Sequence, residues 1–221
     1  KKAGVLVSHF AILFMLVAGA VSSLYKEEGN MRVLQGERSD YAQKLFKHDI
    51  EIFTYDEEGD REAPAIVRSK HIKALGKKDQ LEATFEKFDF KMEIDKYLPY
   101  SELALDSPTS RPPNGEEVVD GFFLVEVDKD VKTEERNTPG CYVSIKDEND
   151  GVIQRLVLWA GNPYPVTFNY EGKRYGVTYL MEIWPMPFEV ELHKTFGENH
   201  PGTEIPRWFQ SDITKVDGAN R

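Results

Sequence analysis

Cysteine is almost missing from this chain: Cys141 stands alone among 221 residues. One thiol excludes an internal disulfide and any CxxC redox or zinc site. There is no CxxCH either, so the chain is not itself a c-type cytochrome. Positive charge is also short, with 28 Lys and Arg against 38 Asp and Glu and a net charge of −10. Binding to a phosphate backbone needs clustered Lys and Arg, so no nucleic-acid partner is expected. The basic clusters are short: Lys1-Lys2, the "RSKHIK" run from Arg68 to Lys73, and Lys77-Lys78. Each reads as solvated surface. Protease, kinase and nucleotide-binding motifs are absent, as are internal repeats and low-complexity tracts. No Ser or Cys has a recognisable base nearby, so nothing supports catalysis by this chain beyond a non-catalytic subunit role.

What the first residues lack is charge. From Ala3 to Leu24, "AGVLVSHFAILFMLVAGAVSSL" holds no Asp, Glu, Lys or Arg. At 1.5 Å per residue that run makes a helix of roughly 33 Å, close to the thickness of a bilayer's hydrocarbon core. A transmembrane helix over 1–25 is therefore expected. Lys1-Lys2 before it and "YKEEG" after it place its start in the cytoplasm and residues 26–221 outside. A cleaved signal peptide with an Ala18-Gly19-Ala20 site is the rival reading. In either case the rest of the chain faces the extracytoplasmic side.

Residues 26–221 read as one β-rich domain. "DIEIFTY" (49–55) alternates as a half-buried strand does. "ATFEKFDFKMEI" (83–94) puts Phe88, Phe90, Met92 and Ile94 on one face and reads as one long strand. "KYLPYSELAL" has room for a helical turn, and "DSPTSRPPNGEE" (106–117) is a proline-rich loop. Strand patterns then follow at 121–127, 141–147, 152–159, 166–170, 175–183 and 188–196. "ENDG" and "YEGKR" between them are hairpin turns. Many short strands with turn residues between them indicate a mainly β fold, an antiparallel β-sandwich or open barrel.

The candidate chemistry lies in five histidines. His48 reads as a surface strand residue on the face opposite Asp49 and Glu51, and His71 carries no more weight. His193 and His200 match no zinc spacing. His9 differs because it lies inside the apolar run. An ionisable group there is costly unless it is paired, faces protein or binds something, and a neutral imidazole is a good axial ligand for haem iron. Ser8, Ala11, Met15, Ala18, Gly19 and Ser22 form a stripe of mostly small residues that permits close helix contact, with His9 at its flank. From these residues alone His9 is either a ligand or a hydrogen-bonded packing residue.

The segment "MPFEVELHKTFGENHPGTEIPRWFQSDIT" ties these features together. It carries Pro187-Phe188, then His200-Pro201-Gly202-Thr203, then Ser211-Asp212-Ile213-Thr214. It resembles the ResB (CcsB) family of cytochrome c biogenesis proteins of the system II type. The histidine-bearing helix, its Ala18-Gly19-Ala20 exit and "YKEEGNMRVLQGE" resemble that family as well. Between about 55 and 150 the likeness is limited to β-rich character, and "LHKTF" stands where the family often has Asp-Asp-Phe.

The resemblance implies a plasma (inner) membrane protein with several spans, of which this chain, starting at Lys1, is a piece. With a multi-span ResC/CcsA-type partner it would move haem outward for attachment to apocytochrome c. His9 would be a haem ligand in the membrane. The partner carries the tryptophan-rich haem-handling segment, so this chain alone would not attach haem. The rival function, from another class, is a membrane-anchored or secreted β-sandwich that binds a ligand without haem. For the "HPGTEIP" loop the residues imply a register-setting turn and no chemistry. Burial as a small apolar residue is expected for Cys141.

Overall fold

The computed structural model describes residues 2–56, 58–62, 64–74, 81–113, 115–133 and 136–217. The Lys77-Lys78 pair and Lys1 lie outside the described residues. The charge-free run forms α1, Lys2–Tyr25. Among the described residues the named elements after it are strands, apart from the single turn of α2, Ser69–Lys73.

Two antiparallel sheets face each other across one core, with no closed barrel. In the first, β1 (Gly29–Asn30), β2 (Arg38–Thr54), β11 (Lys173–Asn199) and β10 (Val166–Tyr170) lie in that order. There β3 (Ala65–Val67) is added to β2, and β12 (Pro206–Asp217) to β11. The second sheet orders β4 (Leu81–Thr84), β5 (Lys91–Leu98), β8 (Gly140–Lys146) and β9 (Val152–Trp159). Inward positions follow the period of two that strands impose. Ile50, Ile52, Val177 and Tyr179 come from the first sheet, and Met92, Ile94, Val143, Ile145, Leu156 and Leu158 from the second.

Strand β8 is buried along nearly its whole length because both of its faces are covered. Cys141, Val143 and Ile145 face the main core. Tyr142, on the other side, packs with Leu98, Leu124 and Val157. The hairpin of β6 (Ser101–Leu105) and β7 (Phe122–Glu126) contributes to this second cluster, and the Leu124 N–H donates to the Tyr142 hydroxyl at 2.9 Å.

Two strand expectations need correction. Residues 83–94 are a hairpin, with Thr84 paired to Lys91, rather than one strand. Phe85, Phe88 and Phe90 cluster at its turn, and Phe88 and Phe90 are stacked at 5.1 Å. Alternation survives the reversal, so periodicity alone does not reveal it. Conversely, 175–183 and 188–196 are parts of one strand, β11. Its pairing with β2 skips between Pro185 and Val190. Pro185 and Pro187 lack the N–H groups that a regular ladder needs, which leaves a bulge instead of a break. "KYLPYSELAL" forms no helical turn: Pro99 and Tyr100 are a bend between β5 and β6.

Beyond the bulge, β11 and β12 form a two-stranded arm from Phe188↔Asp217 to Asn199↔Pro206, roughly 35 Å long at the usual rise per residue. Arg38 braces its base, paired with Glu191 at 2.7 Å. Farther out Trp208, Phe209 and Ile213 are exposed. The tip is the expected turn: Pro201 precedes Gly202 at φ +75°, and the Thr203 N–H donates to the His200 carbonyl at 3.0 Å. Proline at the second position and a positive-φ glycine at the third make a type II turn, which sets the register of the two strands.

Candidate functional site

Residues Ala3 to Tyr25 of α1 are exposed throughout, and no described element packs on them. The 23 residues Ala3–Tyr25 have the length and composition to cross a membrane. On it, His9 Nδ1 lies 2.7 Å from the Val5 carbonyl one turn back. A carbonyl only accepts, so Nδ1 carries the proton and Nε2 keeps its lone pair, directed away from the backbone. Ser8 Oγ donates likewise to the Gly4 carbonyl at 3.0 Å. The hydrogen bond to Val5 thus orients the imidazole and leaves Nε2 as the ring nitrogen open to another partner.

The exit of α1 is tied to the first sheet. Gly29 and Asn30 pair with Lys44 and Gln43. Lys44 lies between Glu182 at 2.9 Å and Glu27 at 3.0 Å, and Glu27 also reaches Lys47. Hydrogen bonds to these two carboxylates raise the Lys44 pKa, and those from Lys47 and Lys44 lower that of Glu27.

A cavity of about 540 Å³ opens where β2, α2 and the end of β5 meet. Phe46 and His48 line it from β2, Lys73 from α2, Tyr97 from β5 and Tyr100 from the bend after β5. Its size is that of a small-molecule pocket. His48 is therefore no surface residue: it is 7% exposed and packs edge-on against Tyr179 at 5.9 Å. Asp49 is buried as well, accepting from the Ser69 N–H at 2.7 Å and from Arg68 at 2.8 Å. Burial, then the charge on Lys73, lowers the His48 pKa from 6.5 to about 4. Burial also pushes Tyr97 up to about 12. Neutral imidazole, neutral phenol and the lysines at 73 and 129 suit binding more than proton transfer near pH 7.

Stability should follow the His48 titration. Between pH 6.5 and 4 the unfolded chain binds a proton that the folded chain refuses, so this contribution is complete above 6.5 and falls as pH drops. About 2 kcal/mol should be lost between pH 7 and pH 5. Urea titrations at the two pH values check this, and His48→Gln should remove the difference attributable to this site.

The remaining candidates lie apart. His71 is exposed on α2. His193 Nε2 lies 2.7 Å from Thr214 Oγ1 on the arm, and His200 occupies the arm's tip. Cys141 is buried, and burial pushes its thiol far above the usual range, which leaves it in the inert protonated form. Among the described residues no three His, Cys, Asp or Glu side chains converge as metal ligands. His48 could have been suspected only from knowing what covers the end of β2, and that cover comes from residues about 25 and 50 positions later.

No curated protein matches the chain. A family model does: that of the ResB-like family matches residues 1–56, which hold α1, β1 and β2 together with His9, and supports the ResB family for that part of the chain.

Proposed function

We propose that this chain is a subunit of the machinery that exports haem and attaches it to apocytochrome c. In this reading α1 anchors it in the plasma membrane and the β-sandwich lies on the extracytoplasmic side. One observation carries the reading: a histidine in the middle of an apolar helix, inside the ResB-like match, with Nδ1 held by Val5 and Nε2 left to bind. The lysine pair at the start of the chain and Glu27 and Glu28 after the helix agree with an outward orientation.

Haem, when bound, would supply an iron that a neutral imidazole can ligate. His9 would hold it, and the Val5 carbonyl would fix the ring's tautomer and orientation. The small residues flanking His9 allow a second helix from a ResC/CcsA-type partner to approach. In this reading the β-sandwich is a scaffold that holds that partner or receives the apoprotein. Co-purification of the full-length protein with its partner in detergent tests this. A haem absorption band is expected, whereas an intact complex free of haem would overturn the reading. That result would favour an anchored ligand-binding module instead, for which the cavity beside His48 is the motivating observation.

A further inference from the structure

The "RSKHIK" run does not behave as scattered solvated charge once folded. Ile72 is 1% exposed and pins α2 to the core, while the Asp49 carboxylate holds Arg68 and the Ser69 N–H. Lys70 and Lys73, three residues apart, share a side of the α2 turn. Across from them stands Lys47 of β2. Together Lys47, Arg68, Lys70 and Lys73 line a recess of about 420 Å³ whose other walls are Ser69 and Glu182.

Four cations line it beside one carboxylate, Glu182, which is already engaged by Lys44; Arg68 and Lys47 are paired outside the recess with Asp49 and Glu27, which leaves the charge of Lys70 and Lys73. Among the described residues, neither Lys70 nor Lys73 has a carboxylate at ion-pair distance; Lys73 Nζ donates instead to the Phe46 carbonyl at 2.7 Å. Partial burial, then the charge on Lys47, lowers the Lys73 pKa, as expected of a cation short of counter-charge. On a chain of net charge −10 this is a local reversal of sign.

The recess also has a neighbour. Lys47 is shared with a pocket of about 350 Å³ lined by Leu24 and Tyr25 at the end of α1, by Phe46, by Lys26 and Lys44, and by the carboxylates of Glu27 and Glu28. A cationic recess beside the end of an apolar helix matches the two halves of one kind of molecule.

We propose that the recess of Lys47, Arg68, Lys70 and Lys73 binds the phosphate of an anionic phospholipid, whose acyl chains lie along α1. The inference depends on α1 lying in a bilayer and not on haem. Each lysine near a membrane surface contributes about 1 kcal/mol toward anionic lipid, equivalent to about a fivefold preference.

Native mass spectrometry of the full chain, released from micelles with equimolar phosphatidylglycerol and phosphatidylcholine, tests the site. The unaltered chain should retain phosphatidylglycerol at least about fivefold over phosphatidylcholine. The pair Lys70→Gln and Lys73→Gln should bring that ratio close to one, while Lys73→Arg should keep it. Lys173→Gln, on the distant β10–β11 turn, should leave it unchanged. Equal loss in the Lys173 variant would mean diffuse electrostatics and overturn the site. Adducts of added inorganic phosphate without any lipid preference would assign the recess to a soluble anion and overturn the lipid. No preference in the unaltered chain would do the same. Circular dichroism of each variant separates misfolding from loss of binding, and retention by the Lys73→Arg chain keeps the test decisive.

Discussion

Ile94→Ala should lower folding stability by about 3 kcal/mol, while Phe209→Ala should change it by less than about 0.5 kcal/mol. Both remove most of a large apolar side chain, and only position separates them. Ile94 is fully buried where β5 meets the facing sheet, among Met92, Val143, Ile145 and the aromatic residues of β10 and β11. Truncation there loses transfer free energy and leaves a cavity that surrounding strands fill only in part. Phe209 is 82% exposed on the arm. For a chain of this length the first change corresponds to a drop in melting midpoint of roughly 10 °C. Thermal melts followed by circular dichroism would measure both. A similar loss in the two variants would mean that the arm folds back as part of the core.

His9→Ala should reduce the yield of haem-bearing c-type cytochrome by at least about tenfold in cells that depend on this protein, on the scale of a lost metal ligand. The effect rests on the ring's two nitrogens. Val5 takes the Nδ1 proton, so the whole ligand capacity of the residue rests on Nε2. Alanine removes that nitrogen without altering the helix, because it is the best helix former and no described side chain packs on His9. Added imidazole should restore much of the yield by entering the vacated space. Haem staining of membrane proteins reads the outcome. Unchanged cytochrome levels would remove His9 from haem handling and leave a packing role.

Much of this architecture is legible in the residues themselves. The absence of charge from Ala3 to Leu24 corresponds to α1, and 152–159 and 166–170 coincide with β9 and β10. At "YEGKR", Glu171 and Gly172 both take positive φ, as a two-residue hairpin turn demands. The His200–Thr203 turn is legible for the same reason: proline and glycine each allow few conformations.

What escapes the sequence is decided by long-range contact. Phe85, Phe88 and Phe90 keep their spacing through a chain reversal, so the pattern of 83–94 fits one strand or two equally well. The prolines at 185 and 187 look like strand breakers, yet the pairings on both sides carry β11 past them through a bulge. His48 looks exposed because its local alternation says nothing about α2 or Tyr97 closing over it. The basic run at 68–73 likewise acquires direction only when Ile72 and Asp49 anchor it beside Lys47. His9 is the reverse case. Its type and place are plain in the sequence, but the hydrogen bond that selects its free nitrogen is a matter of geometry.

The most direct test is the haem absorption spectrum of the full-length protein co-purified with its partner, recorded beside His9→Ala at equal protein loading. A haem band is expected in the first sample, its loss or marked reduction in the second, and recovery on adding imidazole. An identical band in both samples would contradict His9 as the ligand, and no band in either would contradict the haem function itself.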